Sequence, residues 1–151
     1  MNNTIGSTDF RMQYFTIREL MQRMDDEQLI GKRVLRKQWN RQKQMNFIES
    51  VLSGIPIASV YFDGSKPRWT VLDGVERLCA IEDFVNNAFP LKDLNLLSPD
   101  YEDKFFRNFP FAVKRRFMNT PVIGYVLTTE LPKEVLELIF KRLNGEYEYD
   151  A

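Results

Sequence analysis

Two short β-rich runs joined by a tight turn and framed by helical stripes constrain this chain most. Residues 57–62 and 68–72 are rich in β-branched and aromatic side chains, and they flank Asp63-Gly64-Ser65-Lys66. Glycine behind aspartate between two such runs predicts an antiparallel hairpin. Upstream, Thr16-Ile17-Arg18-Glu19 reads as a capping box, with Ile17, Leu20, Met21 and Met24 on one helical face and a stop near Asp25-Asp26. A second amphipathic helix is predicted over 45–52, carrying Phe47, Ile48, Val51 and Leu52, and Gly54 with Pro56 ends it. Leu78, Ile81, Phe84 and Val85 mark a third helix that begins at Gly74, directly where the second strand stops. Ser98-Pro99 is expected to cap a helix running through Phe106, and residues 122–127 form a strand after Pro121. Pro132 opens a last helix with the stripe Val135, Leu136, Ile139, Phe140 and Leu143, closed by Gly145. Residues 1–12 are polar and unpatterned and are expected to form a flexible N-terminal arm, with 13–151 as one domain. Helices and strands are interspersed without repeat or compositional break, which makes the fold class α+β.

Length and composition agree with one core. A chain of 151 residues buries about 70% of its unfolded surface, and 44% apolar with 28% charged residues is an ordinary globular balance. Histidine is absent from the sequence, which removes the Ser-His-Asp triad, the Cys-His dyad, the HNH nuclease centre and histidine-ligated zinc. Cys79 is the only cysteine, so neither an internal disulfide nor a thiolate metal cage can form. The opening Met1-Asn2-Asn3-Thr4 has no signal-peptide pattern, and no apolar run approaches the roughly 18 residues of a membrane span. A cytoplasmic protein with no membrane partner is the expectation.

Lysine plus arginine equals aspartate plus glutamate at 21 each, so any anion site must be local. Between Gly31 and Gln44 stand Lys32, Arg33, Arg36, Lys37, Arg41 and Lys43, with no acidic residue and Trp39 among them. The segment reads either as a solvated face anchored by one aromatic ring or as an anion-binding stretch. A second stretch, from Lys104-Phe105-Phe106-Arg107 to Lys114-Arg115-Arg116-Phe117, interleaves cations with rings. Nucleic acid could meet it through backbone contacts and base stacking; alternatively the rings are core and the cations surface. Lys32, Arg33, Lys114, Arg115 and Arg116 are the candidate nucleic-acid contacts.

The segment Val71-Leu72-Asp73-Gly74-Val75-Glu76-Arg77 runs from a strand into the first turn of a helix. Glycine there allows close backbone approach, free amides and the helix dipole favour a phosphate, and Arg77 can fork two hydrogen bonds to it. Asp73 and Glu76 could hold a magnesium ion or orient water. The plainer reading is a tight turn with an aspartate cap and a surface arginine.

The chain resembles the N-terminal domain of the GmrSD-type modification-dependent restriction enzymes, a family of the ParB/sulfiredoxin-like superfamily. The resemblance covers about residues 15–144 and rests on five pieces in order. They are Thr16-Ile17-Arg18-Glu19-Leu20; Arg36 three residues before Trp39; residues 47–57 from Phe47 to Ile57; the Asp73-Gly74-Val75-Glu76-Arg77 block; and Phe140-Lys141-Arg142-Leu143-Asn144. The resemblance implies a ParB/sulfiredoxin-like fold, a small mixed sheet with a β-hairpin flanked by helices. It also implies a pocket for a nucleoside triphosphate (GTP, CTP or ATP) with Mg2+, formed by Arg36, Trp39, Asp73, Gly74, Arg77, Arg142 and Asn144. Asp73, Glu76 and Arg77 would be the catalytic residues, Asp73 and Glu76 the metal ligands, and phage defence or restriction-modification the setting.

The sequence departs from the family's D-G-Q-Q-R-L-T motif: Val75 and Glu76 replace the glutamines and Cys79 the threonine. Glu76 brings negative charge beside the phosphates, and Val75 can neither donate nor accept. Cys79 follows Arg77 rather than preceding it, so it reads as a small packed residue, not a sulfiredoxin nucleophile. The family's nuclease domain does not fit after Asn144, so DNA cleavage is not expected of this chain. Three readings stay open: a nucleotide-sensing NTPase-like domain, a non-catalytic DNA- or protein-binding module that has lost nucleotide chemistry, and a structural partner of a nuclease domain or family member.

Overall fold

The computed structural model describes residues 6–30 and 39–143, with the side chains of residues 29 and 30 left aside. In chain order the elements are β1 (Phe10–Thr16), α1 (Ile17–Asp25), β2 (Leu29–Ile30), α2 (Arg41–Leu52), β3 (Val60–Asp63), β4 (Trp69–Asp73), α3 (Val75–Val85), two single 3-10 turns (Pro99–Tyr101 and Phe106–Asn108), α4 (Phe111–Met118), β5 (Pro121–Leu127) and α5 (Lys133–Leu143). The five strands form one mixed sheet in the order β1-β5-β3-β4-β2. β1 is antiparallel to β5, β5 parallel to β3, β3 antiparallel to β4, and β4 parallel to β2. A small mixed α+β domain is the result.

The expected hairpin is β3 and β4. Asp63 Oδ1 accepts from the Ser65 amide at 3.0 Å and the Ser65 hydroxyl at 2.7 Å, the local bonds that make aspartate a turn residue. Thr16 caps α1 as anticipated, its hydroxyl accepting the Glu19 amide at 3.1 Å. The reciprocal half differs: the Thr16 hydroxyl donates to the Glu19 carboxylate at 3.2 Å, because Thr16 is also the last residue of β1. At the end of α2, Gly54 is left-handed at φ 87° and the Ile55 amide reaches back to the Ser50 carbonyl at 3.0 Å.

Three expectations are corrected. Phe10, Arg11 and Met12, placed in the N-terminal arm, belong to β1; as part of an edge strand with four exposed residues in a row, they carry no burial pattern to read. The helix expected from Ser98-Pro99 to Phe106 is replaced by separate turns. Asp103 adopts a left-handed φ of 61°, and the Leu91 backbone takes the Asp103 amide at 2.8 Å and donates to the Lys104 carbonyl at 3.0 Å. Those bonds draw the chain away from helical pairing. The stripe of α5 is only partly used, Val135 alone being buried, and Gly145 lies outside the described residues.

The core lies between one sheet face and α1 to α4. Phe15, Phe62 and Trp69 meet with ring centroids 5.5–6.0 Å apart on the sheet. Across from them, Phe84 in α3 touches the rings of Phe89, Phe106, Phe109 and Phe117 at 5.5–5.8 Å. Each such ring pair adds about 0.5–1.5 kcal/mol to the burial itself. Cys79 is buried in this core, as its reading as a packed residue anticipates.

Candidate functional site

β4 delivers Asp73 to the start of α3, and Gly74 makes the turn at φ 112°, a conformation that side chains rarely adopt. A Cβ on Gly74 would lie 2.6 Å from Val60 Cγ1, so the glycine is also required by packing against β3. Gly74 and Val75 are both buried. The cap residue provides no side-chain hydrogen bond to the first turn of α3.

Arg77 turns inward. Its Nη2 donates to the Ser59 carbonyl at 2.8 Å and lies 3.5 Å from Asp73 Oδ2, with side-chain exposures of 18% for Arg77 and 21% for Asp73. The guanidinium thus ties the start of α3 to the segment leading into β3. Glu76 Oε2 accepts the backbone amide of Trp39 at 2.6 Å. Trp39 is further held by an edge contact with Phe47 at 5.5 Å, and the Lys43 ammonium lies over its ring at 5.0 Å. Asn40 caps α2 by accepting the Lys43 amide at 2.8 Å. These contacts fix the exit of the basic segment beside the junction.

Of the expected pocket residues, the structure brings together Trp39, Asp73, Gly74 and Arg77, with Glu76, expected as a catalytic residue and metal ligand, beside them. Arg142 is exposed in the last turn of α5, a helix that packs on β4. Arg36, Asn144, Lys32 and Arg33 lie outside the described residues. The magnesium ion was expected on Asp73 and Glu76. Asp73 Oδ2 faces Arg77, Glu76 Oε2 holds an amide, and among the described residues no group of three or more potential ligands exists. Both carboxylates are committed to bonds within the protein.

The second basic stretch divides differently from its expected layout. Phe117 is buried and Phe106 half-buried, and both pack around Phe84. Lys114, Arg115 and Arg116 lie on α4, with Arg115 and Arg116 exposed. Here the structure adds a feature that sequence reasoning missed. A groove of about 900 Å³ runs between α4, the loop after α2 and the sheet edge, with Arg115 and Arg116 in its lining. Tyr14, Ile55 and Phe111 line it at 67%, 48% and 77% exposure, unusual values for side chains of this size. A hollow of about 570 Å³ adjoins it, shares Phe111 and Arg115, and adds Arg18 and Lys114. Neither is lined by a carboxylate. The signal available in advance was Pro110-Phe111 opening a helix whose second turn is Lys114-Arg115-Arg116.

Glu49 was also missed. Buried on α2, its Oε2 accepts three successive amides, those of Asn95, Leu96 and Leu97, at 2.8, 2.7 and 3.0 Å. Burial pushes its carboxyl up, but the amides of Leu96, Leu97 and Asn95 together outweigh that and hold it below the usual value. It fastens the 94–97 loop to the core. Among the described residues no helix is long and apolar enough to cross a membrane. Comparison with family models, with curated proteins and with solved structures finds no match to this chain.

Proposed function

We propose that this chain is a ParB/sulfiredoxin-like domain working as a non-catalytic binding module, with the face around α4 as its contact surface. The observation that carries this reading is the groove beside α4, where three exposed large apolar side chains stand next to Arg115 and Arg116. Among the described residues no carboxylate pairs with either arginine. Proteins rarely leave large apolar side chains clustered at the surface unless something covers them. The junction, by contrast, turns Arg77 Nη2 onto Ser59 and Asp73 and Glu76 Oε2 onto Trp39, although Arg77 Nε is buried without a hydrogen-bond partner among the described residues. That use supports loss of the nucleotide chemistry implied by the family resemblance.

The test is an anisotropy titration with two labelled probes, a duplex DNA and an acidic peptide, on wild type and on Arg115→Glu/Arg116→Glu. At least one probe should bind at low salt, weaken as salt rises, and lose affinity at least tenfold on charge reversal. Failure of both probes to bind wild type at about 50 mM salt contradicts the proposal.

A second reading, triphosphate binding at the junction, is favoured by one observation: the first turn of α3 has no side-chain cap. A phosphate is a natural guest of such amides. Burial of Gly74 and Val75 weighs against it.

A further inference from the structure

We infer that the groove beside α4 takes an acidic peptide carrying bulky apolar side chains, supplied by a partner protein. The inference rests on the reading of α4 as a contact face and names what that face recognises.

Charge complementarity comes first. The groove and the adjoining hollow together present Arg18, Lys114, Arg115 and Arg116 and no carboxylate, in a chain whose acidic and basic residues balance at 21 each. A local excess of four cations attracts carboxylates or phosphates alike. The apolar part of the lining separates the two. Leu52, Ile55, Pro56, Phe111 and Ile123 build the walls, and Phe111 stands 77% exposed between the two hollows. A nucleic-acid backbone offers charged phosphates and polar sugars, which gain nothing from such walls. Its bases could stack on the exposed rings of Tyr14 and Phe111, but Phe117 is buried and Phe106 half-buried against the core, and Leu52, Ile55, Pro56 and Ile123 make the lining more aliphatic wall than ring. A peptide gains twice, by burying apolar side chains in the groove and by setting carboxylates against arginines at its rim. An aromatic centre beside arginines is the composition of a protein-recognition hot spot. At about 900 Å³ the groove has room for several side chains.

The occupant is thus a segment in which aspartate or glutamate accompanies phenylalanine, leucine, isoleucine or tryptophan. The experiment selects a displayed library of random short peptides on the wild-type chain and measures the enriched sequences by anisotropy. Enriched peptides should carry acidic residues beside large apolar ones. Their affinity should fall at least tenfold for Phe111→Ala and for Arg115→Glu/Arg116→Glu, while both variants, changed at exposed positions, melt as wild type does. Replacing the peptide's acidic residues by amides, or its apolar residues by serine, should each cost at least tenfold as well. The inference is overturned if no peptide is enriched, if the enriched peptides lack acidic residues, or if they bind Phe111→Ala as tightly as wild type. Duplex DNA bound through Arg115 and Arg116 with no peptide enriched would overturn the inference and leave α4 as the contact face. Failure of peptide and DNA alike would remove both.

Discussion

The carboxylate of Glu76 accepts the backbone amide of Trp39 at 2.6 Å across 37 residues of chain. The side chain closes a loop of its own protein. Glu76→Gln keeps a carbonyl acceptor for that amide, whereas Glu76→Ala leaves the amide without it. Glu76→Ala should therefore cost about 1–3 kcal/mol and Glu76→Gln clearly less. Urea unfolding of both variants reads the difference, and equal losses would show that the tie contributes nothing.

Gly74→Ala tests the turn itself. The position combines φ 112° with a Cβ only 2.6 Å from Val60 Cγ1. Strained backbone and overpacking each cost about 1–3 kcal/mol, so a loss of about 2–4 kcal/mol is expected. For a chain of this size that lowers the melting temperature by roughly 4–16 °C. An unchanged melting temperature would contradict the packing described.

Glu49 gives a pH dependence. Its folded carboxyl lies below the ordinary 4.5 because the Leu96, Leu97 and Asn95 amides outweigh the opposing effect of burial. A group depressed on folding contributes stability that is fully present above its unfolded value and is lost as pH falls through the folded value. Glu49→Gln should thus be destabilised by about 1–3 kcal/mol at neutral pH. The gap to wild type should narrow below the ordinary carboxyl value. Chemical denaturation at neutral and acidic pH checks it, and a gap independent of pH would contradict the assignment.

The ring cluster supplies the largest expected single loss. Phe84 is fully buried and touches four other phenylalanines. Phe84→Ala should destabilise by about 3–5 kcal/mol, measured by denaturant unfolding. A change under about 1 kcal/mol would mean the rings do not form one packed unit.

The hairpin, the N-cap of α1, the C-terminal stop of α2 and the strand-to-helix step at Gly74 were legible because each is written in neighbouring residues. Thr16 with Glu19, Asp63 with Ser65 and Ile55 with Ser50 are local bonds. β1 was not legible, since an edge strand with Arg11 to Tyr14 exposed follows no burial period and is held by β5, over a hundred residues away. Nor was the α4 groove, which joins Tyr14, Ile55 and Phe111 from three distant stretches of chain. The junction was found by its sequence, but its partners Ser59 and Trp39 are fixed only by tertiary contacts.

Calorimetric titration of the wild-type chain with GTP, CTP and ATP in the presence of magnesium tests most directly whether the junction is an internal brace. No binding heat from any of the three is the expected result. Saturable heat that vanishes in a folded Arg77→Lys variant would contradict it, because it would place a phosphate where Ser59 and Asp73 now hold the guanidinium.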